Sequence, residues 1–150
     1  MNLFLPALSL LPFFFTGCTM TPDISKPKPA DPTFHLVSVK KVEGSRQGTF
    51  TFTNTTRKPI EVYAFDTPED GECQLRFTIY LRKTEKGWEN AQIGYCGTGL
   101  EVFPLQPGRT YRLREYLFPY DDGAEVGQIQ MATVGKRKYW SQPFDLRAFR

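Results

Sequence analysis

Short apolar strands separated by turn residues occupy residues 33–146, and this pattern is the feature that most constrains the fold. In residues 48–53, apolar and hydroxyl side chains alternate with a period of two, so Phe50 and Phe52 lie on the same face of a strand. No segment keeps the apolar period of an amphipathic helix. The predicted strands cover residues 34–39, 48–53, 60–65, 75–82, 88–96, 100–105, 110–118, 126–134 and 138–146.

About 7–9 short strands with turns between them and no helix predict an all-β chain. The composition agrees, because 13 Phe and 7 Tyr favour strands, and 12 Gly and 12 Pro favour turns. The predicted fold is an antiparallel β-sandwich, and a closed β-barrel is the alternative.

Residues 75–82 show the clearest alternation of apolar and polar side chains. One face is expected to enter the core, and a slip of one residue in register would bury both arginines. The predicted inward residues are Leu75, Phe77, Ile79 and Leu81, and the predicted outward residues are Arg76, Thr78, Tyr80 and Arg82.

Prolines and glycines mark the limits of two further strands. Pro104 interrupts the apolar run of residues 100–105, which predicts an edge strand or a bulge, because proline has no N–H to donate. Pro107 and Gly108 predict a turn over residues 106–109, because proline presets φ and glycine tolerates a positive φ.

The N-terminal residues have the pattern of an export signal. Residues 3–15 form an uncharged apolar run that ends at the small residues Thr16 and Gly17, followed by Cys18. The run has about 13 residues, whereas a helix needs about 20 to cross a bilayer. The segment therefore predicts a signal peptide over residues 1–17 that is removed on export.

The residues around Cys18 resemble the cleavage motif of bacterial lipoproteins, in which an aliphatic residue, a small residue and Gly or Ala precede a cysteine. The resemblance implies diacylglycerol on the Cys18 thiol, a third acyl chain on its amine, and a place in the bacterial cell envelope. Several acyl chains anchor firmly, because each buried methylene adds about 0.8 kcal/mol. Thr19 follows the cysteine, so the family resemblance favours the outer membrane. The alternative is an ordinary secretory peptide that leaves Cys18 unmodified.

A proline-rich segment separates the cysteine from the strands. Residues 19–32 hold four prolines among small and charged residues, which predicts an extended, semi-rigid spacer. The chain is thus divided into a signal peptide (1–17), a lipidated cysteine with its tether (18–32) and a β-sandwich domain (33–150).

Segments of the predicted strands and turns resemble the immunoglobulin-like domains of secreted bacterial proteins. The segments are residues 50–56, 58–60 and 105–111, and the likeness extends over roughly residues 33–146. The resemblance implies an immunoglobulin-like sandwich. Residues 87–88 and 95–99 look like parts of uncharacterised secreted β-sandwich proteins, a likeness that implies no activity. The overall strand periodicity is also similar to the small intracellular proteinase-inhibitor domain of bacilli.

The cysteines predict one disulfide. If Cys18 carries lipid, Cys73 and Cys96 remain, and the oxidising compartment makes a bond between them the default. Closing this loop would contribute about 3 kcal/mol. Two buried thiols or half of a metal site are the alternatives, and a metal would find few ligands because His35 is the only histidine. We predict no metal and no cofactor.

Charge and candidate catalytic groups favour a non-enzymatic role. The net charge of +3 does not indicate a nucleic-acid protein. His35 lies alone in an apolar strand without a paired nucleophile, and the carboxylates of residues 66–72 are typical of a solvated loop. Residues 136–138 are basic and form either a charged turn or a contact with anionic lipid or a partner.

These features predict a lipid-anchored binding or structural module whose partner is an unknown envelope protein or glycan. The first alternative is a proteinase inhibitor that acts through the exposed loop 66–72, and the second is a cell-envelope hydrolase that uses loop carboxylates.

The predicted binding surface lies where the disulfide would join two loops, residues 66–74 and 94–99. Joined loops lose less freedom on binding. Asp70, Trp88 and Tyr95 are the candidate contact residues. The alternative is that the disulfide only stabilises the sandwich.

Overall fold

The computed structural model describes residues 26–42, 45–65, 72–76, 78–90, 101–117, 125–135 and 137–149. Within these ranges the chain forms strands and one short 3₁₀-helix, Leu146–Phe149, so the all-β prediction is confirmed. None of the described segments is a helix long and apolar enough to span a bilayer. The strands are β1 (His35–Val42), β2 (Ser45–Thr53), β3 (Ile60–Ala64), β4 (Glu72–Gln74), β5 (Ile79–Thr84), β6 (Gly87–Asn90), β7 (Glu101–Leu105), β8 (Thr110–Leu117), β9 (Val126–Met131), β10 (Tyr139–Trp140) and β11 (Phe144–Asp145).

The first sheet has the strand order β1-β2-β8-β4. β2 pairs antiparallel with β1 and with β8, and Phe50 lies opposite Leu113. β4 runs parallel to β8, with Cys73 opposite Leu113, whereas the other strand pairs in the described residues are antiparallel, as predicted. A parallel neighbour requires a crossover, because a hairpin can join only antiparallel strands.

The second sheet has the order β10-β9-β5-β6, and β11 also pairs with β9. β10 and β11 return antiparallel along β9, so the predicted strands 126–134 and 138–146 are paired with each other. β6 covers only the start of the predicted strand 88–96, and residues 91–96 lie outside the described part of the chain.

A two-stranded ribbon, β3-β7, lies beside both sheets. Single bridges join Val62 to Thr133 and Ala64 to Leu75. Pro104 lies opposite Glu61, whose carbonyl oxygen accepts from the N–H of Val134. The backbone of Glu61 therefore points away from β7, and Pro104 is placed where β3 requires no N–H. In the described residues β7 pairs on one side only, as an edge strand does.

The core is a layer of aromatic rings between the two sheets. Phe50 meets Phe144 at 5.5 Å between ring centroids, and Phe52 meets Tyr139 at 5.2 Å, both edge to face. Phe34 lies 5.7 Å from Phe50 and from Phe52. Edge-to-face contacts at these distances are favourable for aromatic pairs. Two packed sheets are the arrangement of a β-sandwich, and the immunoglobulin-like assignment stays a prediction.

The segment 75–82 differs from its prediction, because it is not one strand. β4 ends before it, and β5 begins within it at Ile79. The N–H of Leu75 still donates to the carbonyl of Arg114 in the first sheet, whereas Ile79 pairs with Gln130 in the second. The chain therefore crosses between the sheets here, and Phe77 lies outside the described residues.

This crossing changes which side chains are buried. Arg76 and Tyr80, both predicted to face solvent, are 4% and 6% exposed. Tyr80 lies opposite Ile129 and belongs to the core cluster. Leu81 is buried but lies on the other face of the second sheet, opposite Gln128. The alternation of inward and outward side chains therefore changes its phase where the chain crosses between the sheets. The sequence pattern does not show this crossing.

The predicted tether is attached to the domain at its described end. The side chain of Gln128 is fully buried, and its amide oxygen accepts from the backbone N–H of Lys28 at 2.8 Å. Its amide nitrogen donates to the carbonyl of Lys28 at 2.8 Å and to that of Ser141 at 2.9 Å. One side chain thus satisfies both backbone groups of Lys28, as a neighbouring strand would.

Further bonds hold the same segment along β10. The N–H of Asp31 donates to the carbonyl of Trp140 at 2.8 Å, and the Gln142 side chain donates to the carbonyl of Asp31 at 3.1 Å. We call residues 28–31 the strap. It is bonded to the face of the second sheet that carries Gln128 and buried Leu81.

We expect Gly127→Ala to lower the free energy of unfolding by about 1–3 kcal/mol through overpacking. A Cβ at Gly127 would lie 2.5 Å from Tyr80 Cε2 and 3.0 Å from Phe144 Cε2. Urea denaturation measures the change. Gly135→Ala is the matched control, because its Cβ would meet nothing within 4 Å. Equal losses in the two variants would contradict the packing argument.

We expect Gln128→Leu to release the strap, because it removes all three bonds of the buried amide. The free energy of unfolding should fall by about 2 kcal/mol. Hydrogen exchange at the amides of Lys28 and Asp31 should accelerate. Gln106→Leu, at an exposed turn position, is the control and should leave both amides unchanged. Unaltered exchange at Lys28 in the Gln128 variant would show that the strap does not depend on this side chain.

Candidate functional site

The described residues of the predicted binding surface lie in different sheets. Trp88 is half-buried on β6 of the second sheet, opposite Lys83. Cys73 is buried on β4 of the first sheet. Cys18, Asp70, Tyr95 and Cys96 lie outside the described residues. The lipidation of Cys18, the Cys73–Cys96 disulfide and the joined-loop surface therefore stay predictions.

An open groove of about 350 Å³ lies between residues 56–61 on one side and Thr133, Gly135, Arg137 and Tyr139 on the other. Arg57 and Lys58 line it on one side and Arg137 on the other. Its remaining lining residues are Thr56, Pro59, Ile60, Glu61, Thr133, Gly135 and Tyr139. Three cations thus face one carboxylate in a concave surface, and we call it the basic groove.

Asn54 holds the first wall of the basic groove in place. Its side chain is fully buried, and its amide nitrogen donates to the carbonyls of Lys58 at 2.9 Å and Leu105 at 2.7 Å. Its amide oxygen accepts from the N–H of Thr56 at 2.9 Å and from the hydroxyl of Thr56 at 2.7 Å. An asparagine that bonds the backbone two residues later forms an Asx-turn, and this turn presents Arg57 outward.

Thr133 holds the second wall. Its hydroxyl is 3.0 Å from the carbonyl of Gly135 and 2.7 Å from that of Arg137. The Arg137 guanidinium carbon lies 5.0 Å from the centroid of the Tyr139 ring, within the range of a cation–π contact. Both walls are therefore ordered by internal contacts.

A second polar cluster lies inside the sandwich. Glu115 occupies an inward position of β8, between the buried residues Leu113 and Leu117 and opposite Gly48. Burial raises the pKa of Glu115 to about 7, although the Thr78 hydroxyl, the N–H of Tyr116 and Arg76 favour its charged form. This carboxyl group changes its charge near neutral pH.

Arg76 accompanies Glu115 at the crossing between the sheets. Its guanidinium carbon lies over the Phe65 ring, 2.9 Å from the centroid. The backbone N–H of Arg76 donates to the carbonyl of Tyr63 at 2.9 Å. Burial also raises the pKa of Tyr80 to about 12, against the lowering effect of Arg82 and Arg46. The interior therefore contains ionisable groups that the strand pattern assigned to solvent.

Glu72 of the acidic loop 66–72 and the histidine, His35, both contact neighbouring side chains. The carboxylate of Glu72 lies 3.0 Å from Arg112 Nε and 3.9 Å from Arg114 Nε. His35 is exposed, with its Nε2 3.0 Å from the Thr51 hydroxyl. Among the residues that the structure describes, no group of three or more His, Cys, Asp and Glu is arranged to hold a metal ion.

Comparison with known proteins finds no matching family model, no matching curated protein and no matching solved structure.

Glu115 and the basic groove were not predicted from the sequence, and the reasons differ. Glu115 has a local signal, because it stands at an inward position in the alternation of Tyr111, Leu113 and Leu117. The sequence does not indicate that Arg57 and Arg137 line the same groove, because only the fold brings these distant positions together.

We expect Glu115→Gln to flatten the pH dependence of stability between about pH 4.5 and 7. The pKa of Glu115 is higher in the folded state than in the unfolded state. The protonated carboxyl group therefore contributes its full stabilisation below the unfolded pKa of 4.5, and this contribution is lost as the pH rises through about 7. In the wild type this loss is about 3 kcal/mol from pH 4 to pH 8, most of it between the two pKa values, and Glu115→Gln should remove it. Urea denaturation at four pH values across this range measures it. Glu101→Gln, at an exposed position, should keep the wild-type profile, and a Glu115→Gln profile that also keeps the wild-type slope would refute the assignment.

Proposed function

We propose that the protein is a lipid-anchored, non-enzymatic binding or structural module of the bacterial cell envelope, attached through Cys18, with the outer membrane favoured. The partner class is an envelope protein or a glycan, and the proposed fold is an immunoglobulin-like sandwich. Two observations support this proposal: the resemblance of the N-terminus to lipoproteins and the geometry of the domain.

The attachment of the strap is the observation that carries the proposal. Lys28 and Asp31 are bonded to Gln128, Trp140 and Gln142, so the chain is fixed to the domain from residue 28 onward. A lipid on Cys18 would then be joined to the domain through few residues. At about 3.1 Å per extended residue, the link from residue 18 to residue 28 would span at most roughly 31 Å. Such a link keeps a domain close to its membrane.

The packed core supports a module that binds at its surface. Aromatic rings occupy the space between the sheets at centroid distances of 5.2 to 5.7 Å. Ring packing of this density leaves ligand contacts to the loops and outer faces, where function usually lies in such folds.

The inhibitor and hydrolase alternatives both place function in the loop 66–72. The described residue of that loop, Glu72, is bonded to Arg112 and Arg114 in the first sheet. This contact favours neither alternative.

We expect cells grown with radiolabelled palmitate to label the wild-type protein and not Cys18→Ser, because the Cys18 thiol is the acylated group. Immunoprecipitation followed by autoradiography measures the label. Cys73→Ser is the matched control and should retain it. A label that survives Cys18→Ser, or a wild type without label, would overturn the proposed anchor. Crosslinking of the labelled protein in the native envelope then identifies the partner.

A further inference from the structure

We propose that the basic groove is a binding site for an oxyanion, a phosphate or carboxylate group carried by the ligand of this module. The inference rests on the proposed function, since it names the ligand chemistry of the binding module. Its evidence is independent of the lipid anchor and comes from the charge, rigidity and shape of the groove.

The groove groups several cations in one concave surface. Four arginines elsewhere, Arg46, Arg82, Arg112 and Arg114, each lie 3.0 to 3.9 Å from a carboxylate. In the described part of the chain, Arg57, Lys58 and Arg137 make no ion pair.

Three cations and one carboxylate, Glu61, line the groove, so its net charge is positive and attracts anions into the concave surface. The repulsion among the cations does not stabilise the fold. The charge is instead available to a ligand.

The two walls of the groove are ordered before any ligand binds. Asn54 fixes the turn that carries Arg57 and Lys58, and Thr133 fixes the turn that carries Arg137. The N–H of Val134 donates to the carbonyl of Glu61 at 2.9 Å, which joins the two walls. Ordered walls lower the entropic cost of binding, so even a few contacts give measurable affinity.

The residue types fit an oxyanion. A guanidinium group presents parallel N–H donors that match the two oxygens of a carboxylate or phosphate, and Lys58 adds a point charge. The volume of about 350 Å³ lies at the lower end of ligand pockets. Pro59, Ile60 and Tyr139 supply apolar lining for the uncharged body of a ligand. The oxyanion could come from a soluble ligand or from the headgroup of an anionic lipid.

Isothermal titration calorimetry with pyrophosphate tests the proposal on the full chain in phosphatidylcholine nanodiscs. We expect Arg57→Gln combined with Arg137→Gln to weaken binding by at least about tenfold, because two charge-assisted contacts are lost. Arg109→Gln is the control, since Arg109 is an exposed arginine of a neighbouring turn outside the groove lining. It should bind within about twofold of the wild type.

A second arm separates the two sources. Nanodiscs that also contain phosphatidylglycerol should raise the apparent Kd for pyrophosphate if a headgroup occupies the groove, and should leave it unchanged if the natural ligand is soluble. Either result supports the oxyanion site. Binding that is absent in the wild type, or equal in the wild type and the double variant, overturns it. If pyrophosphate does not bind but the palmitate label and the partner crosslink are retained, the lipid-anchored binding module is still supported. Only the oxyanion as its ligand class is then excluded.

Discussion

The contact of aromatic rings across the two sheets is the constraint on which the other features depend. Phe50 and Phe52 of one strand each meet a ring of the second sheet, Phe144 and Tyr139. These contacts fix the distance and the relative position of the sheets, because large flat rings pack edge to face within a narrow range of separations. Close packing of this kind transmits any change of volume to its neighbours. The turns and the strap are held at the positions that this layer sets.

The crossing between the sheets explains where the interior departs from a purely apolar core. A chain that leaves a parallel edge strand must pass over the end of the sandwich to reach the other sheet. Arg76 lies on this passage, stacked on Phe65, and Glu115 projects inward beside it. A buried carboxyl group is tolerated near neutral pH because it can take up a proton, and the nearby guanidinium reduces the cost of its charge. The polar interior is thus a consequence of the topology.

The strap and the basic groove are each held by a buried amide side chain that forms hydrogen bonds with backbone groups distant in sequence. Gln128 binds Lys28 as a strand would, and Asn54 binds the carbonyls of Lys58 and Leu105. Such bonds are strong in buried surroundings, since the unbonded groups would each be costly. In the strap they extend the domain toward the anchor proposed at Cys18. In the groove they present cations in a fixed arrangement.

The amino-acid pattern alone determined the all-β class, most strand positions, the turn at Gly108 with its positive φ of 71°, and the edge position of Pro104. These are local properties, because strand alternation and turn chemistry depend on neighbours in sequence. The tertiary structure decided the burial of Arg76 and Tyr80, the attachment of the strap and the basic groove. Each of these depends on which strands pair and which turns meet, and such contacts join residues far apart in the chain. A period of two cannot report them, because it is reset wherever the chain crosses from one sheet to the other.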